Sequence, residues 1–267
     1  MAASDLDDWL AAAEEAARLG GAVLLDWQPR FSVREKGRND LVTDADVAAQ
    51  EVIQAYFAKR FPDHAFLGEE NRDGTALRRS TGRPTWIVDP LDGTTNYAHN
   101  IPVFAVSIGL EVDGELVVGV VFDPSHQELF RAARGHGAWL GEHRLQASGT
   151  ARLAEAVLST GFPPDLSGQE HTLKTWRHFS LTAQSLRRTG CTSLNLAYVA
   201  AGRHDGFWTY QAWPWDAAGG VVLVQEAGGV VSNLDGTPYD LYTLDVLASN
   251  LLLHPPLVSG VRAAAER

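Results

Sequence analysis

Basic residues are scarce in this chain of 267 residues. Lys and Arg together number 22 against 33 Asp and Glu, so the formal net charge at pH 7 is −11. Proteins that bind nucleic acids or anionic membranes present a basic face, so we expect neither partner here. An anionic substrate would then be attracted locally, by metal ions or by the N-termini of helices.

Cysteine is almost absent. Cys191 is the single cysteine, which excludes a disulfide within the chain. No apolar run approaches the roughly 18 residues that a membrane-spanning helix needs. The start of the chain, MAASDLDD, is acidic, whereas a secretory signal begins with basic residues. We therefore expect a cytoplasmic protein.

The first half of the chain predicts helices followed by a sheet. Helical spacing of apolar residues indicates a helix over about 5–27, and Thr43 is typical of the N-cap of a second helix. A polar connection is expected over 71–84, and Asp113-Gly114 marks the turn of a β-hairpin. We expect residues 1–147 to form an α+β half with an antiparallel sheet and most of the acidic site residues.

The second half alternates short strands with helices, which is typical of an α/β layer. The pattern predicts, among others, a helix over 173–186 and a strand over 188–191. We expect residues 148–267 to form this α/β half. The two halves would pack as one compact unit, with the site in the cleft between them.

The most informative stretch is the segment WIVDPLDGTTNY, residues 86–97. An apolar, β-prone run ends in Asp89, and a second carboxylate follows at Asp92. Gly93 and Thr94 then begin a turn or helix whose backbone N–H groups suit a phosphate. Carboxylate oxygens beside such N–H groups favour a hard divalent cation and a phosphate side by side.

Glu69 also follows a short apolar run, so it would reach the same sheet edge as Asp89 and Asp92. Two carboxylates ~4 Å apart repel by about 4 kcal/mol at an effective dielectric near 20. Divalent cations would offset that repulsion, and an all-oxygen ligand set favours Mg²⁺. Asp216, in the segment PWDAAG, would be a further ligand or simply an acid that complements the helix dipole.

Three segments together resemble the inositol monophosphatase family, within the lithium-sensitive, magnesium-dependent phosphatases that include fructose-1,6-bisphosphatase. They are residues 68–70 (GEE), 86–97 and 214–219. Supporting matches extend from about residue 36 to 229 in the family's order. The resemblance implies a layered αβαβα sandwich, of mixed α+β and α/β character, of the inositol monophosphatase and fructose bisphosphatase type.

The resemblance also implies roles for individual residues. Asp46 and Thr94 would orient the attacking water, and the metal ligands would be Glu69, Asp89, the carbonyl of Leu91, Asp92 and Asp216. The substrate-binding residues would be Gly93, Thr94, Gly190, Cys191, Thr192 and Thr209. Two to three Mg²⁺ ions are implied, with Mn²⁺ as a substitute and Ca²⁺ and Li⁺ as inhibitors, in a homodimer that acts on a small phosphorylated metabolite.

The implied reaction is the hydrolysis of a small phosphate monoester, first of all inositol 1-phosphate (myo-inositol monophosphate), to inositol and phosphate. The family commonly has an acid where this chain has Thr209, and a hydroxyl lacks the strong charge-assisted hydrogen bonds of a carboxylate. Alternative substrates are therefore a 3′-phosphoadenosine 5′-phosphate-type nucleotide, fructose 1,6-bisphosphate or histidinol phosphate. A non-catalytic binding protein with the same fold is a further alternative.

Overall fold

A computed structural model describes residues 3–28, 30–37, 40–71 and 82–265. Most of the connection predicted over 71–84 lies outside these residues. The helices are α1 (Ala3–Trp27), α2 (Asp44–Arg60), α3 (Thr94–Ala98), α4 (Glu170–Thr182), α5 (Thr192–Ala200), α6 (Pro214–Glu226) and α7 (His254–Ala265). The strands are β1 (Val33–Gly37), β2 (Asp40–Thr43), β3 (Ala65–Gly68), β4 (Thr85–Asp92), β5 (Ala105–Val112), β6 (Glu115–Asp123), β7 (Glu128–Ala133), β8 (Gly137–Leu140), β9 (His143–Arg144), β10 (Val157–Thr160), β11 (Ser185–Arg187), β12 (Gly206–Thr209), β13 (Val230–Ser232) and β14 (Val246–Ser249).

The larger sheet has the strand order β3-β4-β5-β6-β7-β8-β9. The pair β3–β4 is parallel and the later pairs are antiparallel. The turn between β5 and β6 has Asp113 at φ 52° and Gly114 at φ 83°. Positive φ at both central residues is what a two-residue type I′ turn requires, and the predicted hairpin is confirmed.

The smaller sheet has the order β11-β10-β12-β14-β13. Strand β10 runs parallel to β11 and β12, whereas β14 runs antiparallel to β12 and β13. Parallel neighbours need crossover connections, and helices α4 and α5 lie in those connections. The alternation read from the sequence of this half is therefore present.

Helices and sheets stack in five layers. Helices α1 and α2 pack on one face of the larger sheet, and α5 and α6 fill the space between the two sheets. Helices α4 and α7 cover the outer face of the smaller sheet. This confirms the predicted αβαβα sandwich. None of the helices in the described parts of the chain has the length and apolar character needed to cross a bilayer.

Small residues let α6 approach the larger sheet closely. A β-carbon at Gly119 of β6 would lie 2.3 Å from the carbonyl oxygen of Gly219. A β-carbon at Gly219 would lie 2.8 Å from the carbonyl oxygen of Val120. Only glycine fits such an approach of two backbones. The close packing holds the first turn of α6, with Asp216, near the strands that carry Asp89 and Asp92.

The prediction for residues 173–191 is wrong in its boundaries. Helix α4 begins at Glu170 and ends at Thr182, because Ala183 already has extended backbone angles (φ −90°, ψ 163°). Residues 185–187 pair in parallel with 157–159 of β10. The segment 188–191, predicted as a strand, is instead the loop that leads into α5. The backbone pairing with β10, a tertiary interaction, therefore determines where the helix ends and where the strand lies.

Candidate active site

A bulge in β4 brings two acids together. Side chains three residues apart on a regular strand point to opposite faces. Here Asp89 pairs with Ser107 and Asp92 with Ala105, so β4 has one residue more than β5 between these pairs. Such a bulge redirects side chains, and it places both carboxylates at one end of the strand. Within it, the Leu91 N–H donates to Asp89 Oδ1 at 2.9 Å.

The third acid comes from the second half of the chain. Asp216 stands in the first turn of α6, where its Oδ2 accepts the Trp213 N–H at 2.8 Å. Ser107 Oγ on β5 donates to the carbonyl of Trp215 at 3.1 Å. Because Ser107 is opposite Asp89 in the sheet, this bond fixes the start of α6 beside Asp89. Asp216 therefore stands at the helix N-terminus, where its charge complements the dipole, and also beside Asp89, where it could be a further metal ligand.

The fourth acid, Glu69, follows β3 in a short 3₁₀ turn, Glu69–Asn71. The buried Gln50 side chain on α2 accepts the Glu70 N–H at 2.9 Å through its Oε1 atom. A β-carbon at Gly68 would lie only 2.2 Å from that oxygen. The turn is thus held against α2, in a position from which the Glu69 charge acts on Asp89 and Asp216.

The four carboxylates form one electrostatic cluster. Burial raises the pKa of Asp89 well above its ordinary value, and repulsion by Glu69, Asp92 and Asp216 raises it further. The pKa of Asp216 is raised by burial and then by Asp92 and Glu69. Burial also raises the pKa of Asp92, whereas hydrogen bonds from Ser193 lower it and offset part of this rise. Close anionic groups of this kind call for a compensating positive charge.

The donor set fits a hard cation by its chemistry, since all four side chains offer carboxylate oxygens. It is not a preformed cage, because no three acidic, histidine or cysteine side chains in the described residues have the spacing of a complete ligand set. Asp89 is 2% exposed, whereas Asp92 and Asp216 are partly exposed.

Thr94 and Asp46, which the resemblance pairs, are joined by a hydrogen bond. Thr94 Oγ1 lies 3.2 Å from Asp46 Oδ1 and 3.1 Å from the Leu91 carbonyl oxygen, and it donates toward both. The other Asp46 oxygen accepts the Thr43 N–H at 2.9 Å and its hydroxyl at 2.5 Å. Asp46 therefore belongs to the capping box of α2 and to the Thr94 pair at once.

Gly93 precedes the short helix α3 in a left-handed conformation, with φ 95° and ψ 33°. A β-carbon there would lie 2.9 Å from the carbonyl oxygen of Val103 and 3.4 Å from that of Gly190. Gly93 is therefore required for both its backbone angles and its surroundings. The contact also places the predicted phosphate-binding turn beside the loop that contains Gly190 and Cys191.

The predicted substrate-binding residues are not all equally accessible. Gly190 is exposed and Thr192 is half-buried, whereas Thr209 is 1% exposed. A β-carbon at Gly161 would lie 2.9 Å from Thr209 Oγ1 and 3.7 Å from Thr192 Oγ1, so both hydroxyls lie beside Gly161. The Cys191 side chain is 1% exposed and donates to Asp92, so it is directed at an acid of the cluster.

Three supporting residues escaped the sequence analysis. Ser193 donates to Asp92, and Gln50 holds the turn of Glu69. Asn96 Nδ2 donates to the carbonyls of Val103, at 2.7 Å, and Thr189, at 2.9 Å, and so ties α3 to the 188–191 loop. Each joins residues far apart in sequence, and no local pattern marks it.

Comparison with known proteins gives a consistent result. The profile described as the inositol monophosphatase family matches residues 5–266. An inositol-1-monophosphatase of Synechocystis sp. is 42% identical over 266 residues, covering 98% of this chain and 92% of the relative. A Pseudomonas aeruginosa protein named Nus factor SuhB is 41% identical over 254 residues, covering 92% and 93%. The solved inositol monophosphatase from Anabaena (Nostoc) sp. superposes with a TM-score of 0.86 at 36% identity, covering 97% of both chains.

Proposed function

The chain belongs to the inositol monophosphatase family, and from that premise we propose that it hydrolyses a small polyol phosphate, first of all inositol 1-phosphate, with Mg²⁺. As a member of a family of phosphatases, it is a phosphoric monoester hydrolase. The observation that carries the proposal is the cluster of Glu69, Asp89, Asp92 and Asp216 next to the hydrogen-bonded pair Asp46–Thr94.

The cluster would hold the ions. Glu69, Asp89 and the Leu91 carbonyl would bind one Mg²⁺, and Asp89, Asp92 and Asp216 a second, with a weaker third near Glu69. Bound divalent ions lower the pKa of a coordinated water and stabilise the oxygen of the leaving group. Carboxylates whose pKa values are raised by mutual repulsion are groups that such charge would stabilise in the ionised form.

Thr94 and Asp46 would orient the attacking water. The Thr94 hydroxyl has one proton, which it shares between Asp46 Oδ1 and the Leu91 carbonyl oxygen, and its lone pairs remain available to accept a hydrogen bond from water. Asp46 Oδ2 accepts two hydrogen bonds from Thr43, which fix the orientation of the Asp46 side chain beside Thr94. The N–H groups of Gly93 and Thr94 would bind the phosphate oxygens.

The identity of the alcohol is the finer part of the proposal. Relatives named inositol-1-monophosphatase support inositol 1-phosphate. Thr209 is 1% exposed, so the half-buried Thr192 beside Gly161 is the threonine that would offer a neutral hydroxyl to a polyol, through ordinary hydrogen bonds. A nucleotide 3′-phosphate, fructose 1,6-bisphosphate and histidinol phosphate remain the alternatives. From the same family resemblance we also propose that the protein is a cytoplasmic homodimer and that Ca²⁺ and Li⁺ inhibit it.

A substrate panel with Mg²⁺ tests the proposal. We expect kcat/KM to be highest for inositol 1-phosphate, and phosphate release to stop when Mg²⁺ is chelated. The variant that tests the metal site is Asp92→Asn, which keeps an oxygen acceptor for the surrounding donors but removes the charge. It should fold but should not hydrolyse any of the substrates. Inositol 1-phosphate among the slowest compounds would contradict the substrate. Full activity of Asp92→Asn would contradict the metal assignment, and no hydrolysis of any compound would favour a binding protein.

A further inference from the structure

Ser193 and Cys191 converge on one oxygen of Asp92. Asp92 Oδ2 accepts the Ser193 N–H at 2.6 Å, the Ser193 hydroxyl at 2.7 Å and the Cys191 thiol at 3.2 Å. The Thr192 N–H also donates to this carboxylate. Ser193 is 0% and Cys191 1% exposed, so water does not compete for these bonds.

The arrangement makes Asp92 the cap of a distant helix. Cys191 occupies the N-cap position of α5 but makes no capping bond with its own side chain. The first N–H groups of a helix lack intrahelical partners, and its N-terminus favours a negative charge. Asp92, about a hundred residues earlier, supplies both the acceptor and the charge. Its carboxylate is thereby fixed relative to α5 as well as to β4.

From this geometry we propose that Ser193 and Cys191 are positioning residues for the metal site. The proposal rests on the proposed function, because it takes Asp92 as a metal ligand. Three donors on Oδ2 occupy the lone pairs of that oxygen, which leaves Oδ1 as the oxygen that would hold an ion. The donors also set the rotation of the carboxylate about its side-chain bonds. Partners that orient a ligand from behind usually change metal affinity 10- to 100-fold when removed.

The segment that carries these donors, the end of the 188–191 loop and the start of α5, is held in place by further hydrogen bonds. Asn96 Nδ2 donates to the Thr189 carbonyl at 2.9 Å, and Thr189 Oγ1 donates to Asn195 Oδ1 at 2.9 Å. Asn96 belongs to α3, the helix that begins with Thr94. The same connection therefore ties the segment that carries the donors to the helix that follows the predicted phosphate-binding turn.

The two donors differ in strength, which gives a graded test. A hydroxyl at 2.7 Å on a carboxylate is a strong hydrogen bond, whereas a thiol is a weak donor. We expect Ser193→Ala to weaken Mn²⁺ binding about 10-fold, with the backbone N–H still in place. Cys191→Ala should weaken it by a smaller factor, and Cys191→Ser, which restores a donor of similar size, should bind as tightly as the unaltered chain.

The experiment measures Mn²⁺ binding to the full chain, without substrate, by calorimetry and by the electron paramagnetic resonance signal of free Mn²⁺. Asp92→Asn identifies the class of site that depends on Asp92. Ser180→Ala is the matched control, since Ser180 Oγ is exposed and donates to the Trp176 carbonyl of its own helix. Thermal melting without metal reports whether each variant folds.

The outcomes separate the two claims. If Asp92→Asn loses a class of sites and Ser193→Ala weakens the same class, the positioning role is supported. If Asp92→Asn loses the sites while Ser193→Ala and Cys191→Ala bind as the unaltered chain does, the positioning role is overturned and the metal assignment stands. If Asp92→Asn binds Mn²⁺ unchanged, both fail. A lowered melting temperature with unchanged affinity would show a purely structural role and also overturn the proposal.

Discussion

Replacing Gly93 by alanine tests how the turn before α3 is built. The left-handed conformation at φ 95° disfavours an L-residue by about 1–2 kcal/mol. The new methyl group would also lie 2.9 Å from the Val103 carbonyl oxygen and 3.3 Å from Phe104 Cα. Both are backbone atoms that cannot rotate away, and overpacking of this kind typically destabilises by about 1–3 kcal/mol.

Together the two effects lower the free energy of unfolding by about 2–5 kcal/mol, which for a chain of this size corresponds to a fall in Tm of roughly 5–15 °C. Scanning calorimetry measures it. The matched control is Gly228→Ala, because Gly228 has φ 78° but a β-carbon added there would meet no atom of the described residues within 4 Å. That variant should show the conformational part alone, about 1–2 kcal/mol.

The same substitution should impair catalysis. Relief of the clash requires the Gly93–Thr94 turn to move, and a displacement of about 1 Å in a catalytic group lowers the rate about 100-fold. We expect kcat/KM of Gly93→Ala to fall by about that factor, while Gly228→Ala stays active. Equal melting temperatures for the two variants, with full activity in Gly93→Ala, would refute the reasoning about the turn.

Three further predictions concern the water-orienting pair, the metal cluster and acid stability. Thr94→Val and Asp46→Asn should each lower kcat about 10²- to 10⁴-fold, and the double variant should be no worse than the poorer single one, since the two act as a unit. Thr94→Val should change Tm little, whereas Asp46→Asn should also lower Tm because Asp46 belongs to the capping box of α2. Additive losses in kcat would argue against the pair. Millimolar Li⁺, a hard cation with half the charge of Mg²⁺, should inhibit phosphate hydrolysis by competing with Mg²⁺ at Asp92 and Asp216. Initial rates measured against Mg²⁺ concentration, with and without Li⁺, check this, and a rate insensitive to Li⁺ would count against that metal site alone. Burial lowers the pKa of His204 to about 4, so on acidification the unfolded chain takes up the His204 proton before the folded chain does. The free energy of unfolding present above pH 6.5 should therefore fall by at most about 3 kcal/mol as the pH falls toward 4. Urea unfolding at pH 7 and pH 4.5 should show a smaller fall for His204→Phe than for the unaltered chain, and equal falls would contradict the assignment.

The acids of the cluster are predictable from sequence because their signals are local. Asp89 and Asp92 lie in the last four residues of the buried strand β4, and Thr94 comes two residues after Asp92. The hairpin at Asp113-Gly114 is predictable for the same reason, since two residues with positive φ determine the turn. The five-layer architecture follows from the family resemblance, and the structure and its neighbours confirm it.

What surrounds the cluster is not predictable in this way. Whether Asp89 and Asp92 share a side depends on a bulge between them, which is visible only in the pairing with β5. The hydrogen bond of the Cys191 side chain to Asp92 also joins residues about a hundred positions apart, and the role of Cys191 in substrate binding stays a prediction. The strand at 185–187 exists because β10 offers a partner, and the local sequence favoured helix there. The division at residue 147 and the roles of the individual site residues stay predictions.

The Asp92 carboxylate connects the larger sheet to the layer of helices between the two sheets. Its carboxylate belongs to the larger sheet but caps α5, and Ser107 of the same sheet holds the start of α6. Both helices also form the inner cover of the smaller sheet. Repulsion among the acids would push these elements apart, whereas the bonds from Ser193 and Ser107 draw the helix N-termini toward the acids. The fold thus keeps mutually repelling carboxylates close, because two of the hydrogen bonds around them join the larger sheet to the helices that lie between the two sheets.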